Sequence, residues 1–197
     1  MTRIPSHSVE DAPEASRALL REMIQFSPTG RPLNMHAQMA HAPAVLTAYV
    51  SIRRATAQLG TLEQPIRSAL MLAAATADGS EYAQAVISAL ALRSGWSHED
   101  VRALLAGKDV GDAKTGALTS LVREAAANHG RVSDLAWGQA VASGWTGEQL
   151  AEAFAYLGLT VFTGYFLNYA RTALDLQAAG AAGPQASGAA AAAGGQV

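Results

Sequence analysis

Residues 94–99 have the sequence SGWSHE, and residues 143–148 have the closely similar sequence SGWTGE. In each stretch a glycine ends one helix, a tryptophan follows, and a hydroxyl residue begins the next helix as its N-cap. Asp100 and Gln149 each follow that hydroxyl residue by three positions, which is the spacing of a capping box. The pattern predicts two helix-hairpin units related by an old duplication, in which each tryptophan packs across the cap. Chance similarity of cap sequences is the alternative.

The rest of the chain has the same helical pattern. Apolar residues recur at intervals of three and four, and long β-branched runs are rare. Thr61 with Gln64 also has capping-box spacing, with Pro65 in the first turn. The sequence therefore predicts an all-α bundle of about eight helices. The predicted helical segments are 13–25, 33–40, 43–59, 61–78, 80–94, one that begins at residue 97, 112–128, 133–144 and 146–174.

Composition divides the chain of 197 residues into three parts. Residues 177–197 are almost entirely Ala, Gly, Gln, Ser and Pro, so they cannot bury enough apolar surface to offset their ordering entropy. We predict a disordered tail there, with a short alanine helix as the alternative. Residues 12–176 are predicted to form one helical domain, and residues 1–11 a flexible N-terminus without a secretory signal.

Charge and cysteine content exclude several classes of function. The net charge is −2 and no basic stripe is present, so no nucleic-acid partner is expected. The absence of cysteine excludes disulfides, thiolate metal sites and cysteine catalysis, and fits a cytoplasmic protein. Residues 153–170 carry no formal charge but include threonines, tyrosines and an asparagine. We interpret them as a helix buried in the core or in a subunit interface, and not as a membrane span.

Four stretches, taken in order, resemble the alkylhydroperoxidase-D and carboxymuconolactone-decarboxylase superfamily. Together they extend over roughly residues 12–176. The resemblance implies an alkylhydroperoxidase-D-like helical bundle that assembles into trimers or hexamers. The four stretches are MHAQMAHAP at 35–43, GTL at 60–62 through GSEY at 79–82, SGWS at 94–97, and VFTGYFLN at 161–168.

The redox members of that superfamily carry a glutamate, a Cys-x-x-Cys pair and a histidine at fixed spacing. The resemblance aligns these four positions with Ser68, Ser80, Ala83 and Ile87. A serine hydroxyl gives no useful anion at neutral pH, and neither Ala83 nor Ile87 can exchange a disulfide or a proton. Thiol peroxidase chemistry is therefore excluded at this site.

The candidate pocket consists of His41, Ser68, Ser80, Tyr82, Ala83 and Ile87. For proton transfer or orientation of a ligand we expect His41, Ser80 and Tyr82. Each has a structural alternative: Ser80 as an N-cap, Ser68 bonded to a carbonyl one turn back, and Tyr82 as a packing residue. No histidine cluster has the spacing of a metal site, and no cofactor is expected.

Two hypotheses for function follow. The first is a pseudoenzyme scaffold or a small-molecule-binding homo-oligomer. The second is a non-redox enzyme of the decarboxylase, lyase or isomerase type that acts on a small organic acid or lactone. An open pocket between the Ser68 and Ser80 helices would favour the enzyme, whereas close packing around Ala83 and Ile87 would count against it.

Overall fold

The computed structural model describes residues 2–27 and 30–175. In these residues the chain forms nine α-helices and no strand, which confirms the all-α prediction. The predicted tail at 177–197 lies outside the described residues. The helices are α1 (Glu14–Ile24), α2 (Asn34–Met39), α3 (Pro43–Leu59), α4 (Gln64–Asp78), α5 (Glu81–Arg93), α6 (His98–Leu105), α7 (Ala113–Ala127), α8 (Asp134–Ala142) and α9 (Gly147–Ala170).

The predicted capping box between Thr61 and Gln64 is wrong. Helix α4 begins at Gln64 with Glu63 as its N-cap residue, and no side chain caps it. The backbone N–H and the hydroxyl of Thr61 instead donate to Glu152 Oε2 on α9, both at 2.7 Å. In the predicted capping box, the backbone N–H of Thr61 would donate to the side chain of Gln64. It donates instead to Glu152, on a distant part of the chain.

The last helix ends earlier than predicted. Arg171 has a left-handed backbone with φ 51°, and the N–H of Thr172 donates to the carbonyl of Leu167 at 3.0 Å. This geometry closes the end of the helix at Ala170. Residues 171–175 then continue as a non-helical segment.

The two similar stretches lie at equivalent places in two three-helix units, α4–α6 and α7–α9. Trp96 Nε1 donates to the carbonyl of Pro65 at 2.8 Å, and Trp145 Nε1 donates to that of Lys114 at 2.7 Å; each acceptor lies 31 residues before its tryptophan. Both acceptors are the second residue of their helix, and both predicted capping boxes are formed. The tryptophans thus tie the first helix of each unit to its hairpin, which supports the predicted duplication.

Helix α9 is central to the packing. It contacts α3, α4, α5 and α7, and α4 also packs closely against α7. By length and composition α9 could cross a membrane, with a mean hydropathy of 1.4, but half of that apolar window is buried in the fold. A core helix passes the same test, and its four helical neighbours place α9 in the core.

The N-terminal residues run along the bundle without forming a helix. The N–H of Arg3 donates to the carbonyl of Ala170 at 2.9 Å, and that of His7 donates to the carbonyl of Ala37 at 3.0 Å. These bonds connect the segment to the ends of α9 and α2. Its flexibility stays a prediction.

Candidate functional site

Ser80 is the N-cap of α5, as its structural alternative predicts. Its hydroxyl is buried and accepts the N–H of Ala83 at 3.4 Å. Ser68 is also buried: its Oγ donates to the carbonyl of Pro65 at 2.8 Å and lies 2.7 Å from Ser94 Oγ. Ser80 therefore caps its own helix, Ser68 links α4 to the end of α5, and both hydroxyls already have partners within the fold.

Tyr82 lies in the first turn of α5 and is buried. Its hydroxyl donates to Asp175 Oδ1 at 2.9 Å and accepts the N–H of Met35 at 3.3 Å. Burial, together with the charge of Asp175, raises the pKa of Tyr82 above its ordinary value. The tyrosine thus fastens the segment after α9 to the start of α2.

His41 lies away from the other predicted site residues. It is exposed, and its Nδ1 is 2.9 Å from Nε2 of His7. His7 Nδ1 in turn lies 3.6 Å from a carboxylate oxygen of Asp11. Within residues 2–27 and 30–175, no group of three or more His, Asp or Glu side chains is placed to hold a metal ion.

A cavity of about 870 Å³ lies among α2, α3, α4, α5 and α9. Ala83 and Ile87 line it, whereas His41, Ser68, Ser80 and Tyr82 do not. Ala83 and Ile87 are packed in the core, 3% and 5% exposed, and each also borders the open cavity. Most of the wall is apolar, including Leu33, Met35, Met71, Val86, Leu90, Leu92 and Leu159.

A chain of three polar side chains from α2 and α3 lies in the cavity wall. Arg53 Nη1 donates to the hydroxyl oxygen of Tyr49 at 3.4 Å, and that oxygen is 3.3 Å from Nε2 of His36. The guanidinium also lies 5.3 Å from the centre of the Phe26 ring. Burial, reinforced by the charge of Arg53, lowers the pKa of His36 to about 3. The imidazole is therefore neutral at physiological pH.

Two further arginines, Arg67 of α4 and Arg93 of α5, complete the charged part of the wall. Arg67 is held by the carbonyls of Leu62 and Gly60. Of the described residues that line the cavity, none is Asp or Glu. The formal charge of the lining is therefore positive.

Tyr156 of α9 also lines the cavity. Its hydroxyl donates to the carbonyl of Thr56 at 3.3 Å and to Glu152 Oε1 at 3.2 Å as alternatives. Burial raises the pKa of Tyr156 to about 12, although the charge of Arg67 opposes this shift. The carboxylate of Glu152 also accepts hydrogen bonds from the backbone N–H and the hydroxyl of Thr61.

The sequence interpretation missed the polar residues of this cavity. Arg53 borders the cavity, whereas the adjacent Arg54 is exposed and forms an ion pair with Glu22. Tyr49 and Arg53 are four residues apart on α3, so they share one face. That spacing was the available signal, but it does not show that the face borders a cavity.

The structure is similar to solved structures, although no protein-family model and no curated protein matches the sequence. One is the alkylhydroperoxidase AhpD core of an uncharacterized peroxidase-related protein from Ralstonia eutropha JMP134, with a TM-score of 0.77 and 16% identity over 88% of this chain and 92% of that one. Another is the apo form of the debrominase Bmp8, with a TM-score of 0.75 and 14% identity over 91% and 94%.

A third similar structure is a cysteine-to-alanine variant of Bmp8 in complex with 2,3,4-tribromopyrrole, with a TM-score of 0.72 and 15% identity over 91% of this chain and 94% of that one. These likenesses extend over almost the whole of each chain. The protein therefore has the alkylhydroperoxidase-D-like all-helical fold, in a sequence without cysteine.

Proposed function

We propose that this protein is a thiol-independent small-molecule-binding protein whose ligand occupies the cavity lined by Ala83 and Ile87. The observation that carries the proposal is the cavity itself. Its volume of about 870 Å³ lies within the range of roughly 300–1,000 Å³ that is usual for ligand pockets. Its wall is predominantly apolar, with a few converging polar groups from α2, α3 and α4, which is the composition of such pockets.

The Bmp8 complex supports the proposal. A protein of this fold from which a cysteine had been removed was crystallised with a small halogenated heteroaromatic. A thiol at that position is thus not needed for ligand binding in Bmp8. By analogy, the absence of cysteine in this chain is compatible with binding and removes only thiol chemistry.

Binding is favoured over acid–base catalysis by the state of His36. A general base works best when its pKa is near the operating pH. The pKa of His36 is lowered to about 3, so its imidazole is a weak base at neutral pH. The alternative of a decarboxylase, lyase or isomerase would need another group to move a proton, and Ser80, Tyr82 and His41 do not line the cavity.

Self-association is the second part of the proposal. Helix α8 buries only Ala140, and its large apolar side chains Leu135, Trp137 and Val141 are 71%, 47% and 49% exposed. Such a surface is typical of a contact with another protein. We propose a second copy of this chain as its partner, in a trimer or hexamer. A cytoplasmic location and the absence of a nucleic-acid partner stay predictions.

Ligand-observed NMR with a panel of small aromatic and aliphatic compounds would test the binding site. Ala89 lines the cavity and is half-buried, so Ala89→Trp should fill part of it and weaken binding of every hit. Ala48→Trp, at an exposed position of α3, is the matched control and should bind normally. The melting temperature of each free variant shows whether it is folded. Equal binding by both folded variants would place the site elsewhere and contradict the proposal.

A further inference from the structure

Two of the three charged side chains of the cavity wall, Arg67 and Arg93, lie at one of its ends. Arg67 belongs to the first turns of α4, and Arg93 is the last residue of α5. These helix ends are adjacent, because Trp96, just beyond α5, donates to the carbonyl of Pro65 at 2.8 Å. Arg67 and Arg93 therefore belong to the same end of the α4–α5 hairpin.

Along α5, the cavity wall is apolar from Ala83 to Leu92. Ala83 lies in the first turn of α5, ten residues before Arg93, which corresponds to roughly 15 Å along a helix. The hydroxyls of Thr160 and Thr163 on α9 donate to carbonyls of their own helix at 2.8 and 2.7 Å. They offer no free donor to a ligand. The α5 wall between Ala83 and Arg93 consists of Val86, Ile87, Ala89, Leu90 and Leu92.

None of the cavity arginines has a carboxylate partner in the described part of the chain. Arg53 contacts Tyr49, the ring of Phe26 and the sulfur of Met23, whereas Arg67 donates to two carbonyls. Both are half-buried. A guanidinium that is partly removed from water and lacks an anion is a ready site for one. Ion pairs elsewhere in the described residues include His7–Asp11, Arg54–Glu22 and Arg123–Asp109.

We infer that the ligand is an elongated organic monocarboxylate. Its carboxylate binds at Arg67, at the end of the cavity where Arg93 also lies, and its apolar body extends along α5 towards Ala83. The inference rests on the proposed function and specifies the chemistry of that same site. The charged head then lies at the opposite end of the cavity from the start of α5, where the thiol positions are aligned. The start of α5 receives the apolar end of the ligand.

Isothermal titration with decanoate and with uncharged decanamide tests the charge preference. Decanoate has an extended chain of comparable length to the apolar wall, and we expect it to bind at least about tenfold more tightly than decanamide, since one charge-assisted hydrogen bond is worth about that much. Arg67→Gln should remove most of this preference, because it weakens decanoate binding far more than decanamide binding. Arg54→Gln, whose side chain is exposed and paired with Glu22, is the control.

Equal affinity for the two probes would overturn the inference and leave the proposed binding function intact. Failure of both probes to bind would also overturn it, because the cavity would then reject a chain-shaped ligand. Failure of the whole compound panel would contradict the proposed function itself. The two proposals can therefore fail separately.

Chain length tests the orientation. Ala83→Leu should shorten the apolar end of the cavity, so decanoate should lose about tenfold in affinity while hexanoate is unaffected. Thr163→Leu, on the α9 side of the cavity, provides a second variant if Ala83→Leu does not fold. An equal loss for both acids would mean that the carboxylate lies near Ala83 and would overturn the proposed orientation.

Discussion

Helices α5 and α8 occupy equivalent places in the two repeated units, but their surroundings differ. Helix α5 has 13 residues and buries six of them against its neighbours and the cavity, whereas α8 has 9 residues and buries only Ala140. Both begin with a serine N-cap, and both are followed by a tryptophan that ties them to an earlier helix. The same cap and tryptophan pattern therefore borders two different helices. One lines a cavity, and the other presents apolar side chains at the surface.

The largest effect is expected at the second tryptophan. Trp145 is only 6% exposed, donates to the carbonyl of Lys114, and has the Lys114 ammonium 4.5 Å from its ring centre. Trp145→Ala should lower the free energy of unfolding by about 3–5 kcal/mol. Trp96→Ala should cost less, about 2 kcal/mol, because Trp96 is only half-buried. Urea unfolding measures both.

Leu59→Ala is the control for this pair, because Leu59 is 81% exposed and should change stability by no more than about 0.5 kcal/mol. A loss at Trp96 equal to or greater than that at Trp145 would contradict the difference in burial between the two units.

The exposed face of α8 is the next point of contrast. Trp137→Lys places a charge among Leu135 and Val141 and should weaken self-association about hundredfold, or roughly 2.7 kcal/mol. Sedimentation velocity over a range of protein concentrations measures the change. Helical content should remain constant, since Trp137 is 47% exposed. A wild-type protein that is monomeric at all concentrations would contradict the proposed interface.

The third contrast concerns Glu152 of α9, in the second unit. No side chain in the helices of the first unit, α4–α6, has a similar role. Its carboxylate accepts the N–H and hydroxyl of Thr61 and the N–H of Leu62. Glu152→Gln removes the charge from these hydrogen bonds and should cost about 1–3 kcal/mol. Glu148→Gln, at an exposed position in the first turn of α9, is the control.

The cost of Glu152→Gln should depend on pH. Burial raises the pKa of Glu152, but the hydrogen bonds from Thr61, Leu62 and Tyr156 outweigh it, so the pKa lies below its ordinary value of 4.5. A depressed pKa contributes stability above the unfolded value, and that contribution is lost as the pH falls through the folded value. The difference between wild type and Glu152→Gln should therefore be constant near neutral pH and shrink below about 4.5. A difference that is unchanged at pH 3 would contradict this account.

Local features were predictable from the sequence because their chemistry acts over a few residues. The N-caps Ser80, Ser97 and Thr146 lie where the pattern placed them, and each accepts a backbone N–H from its own first turn. The cap predicted at Thr61 does not form, because the N–H and hydroxyl of Thr61 donate to Glu152, 91 residues away. Tertiary packing decided that case.

The candidate site was predictable only in part, for the same reason. Ala83 and Ile87 were identified from the resemblance to the superfamily, and both line the cavity. His36, Tyr49 and Arg53 come from α2 and α3, and only the packing of these helices brings them to the same wall as α5. His41 has the residue type of an acid or base, but its partner is His7.

The smallest expected effect tests what the two units share. Ser97 and Thr146 form equivalent capping boxes, in which each hydroxyl accepts the backbone N–H three residues later. Ser97→Ala and Thr146→Ala should each lower the free energy of unfolding by about 1 kcal/mol. The two losses should be nearly equal, because both caps are exposed and depend on local geometry, in contrast to the unequal tryptophans. Because the hydroxyls lie far apart in sequence and share no partner, the double variant should lose the sum of the single losses within about 0.5 kcal/mol. A Thr146→Ala loss several times that of Ser97→Ala would show that the cap of α9 carries tertiary packing as well, and the duplication would then extend only to sequence and not to energetics.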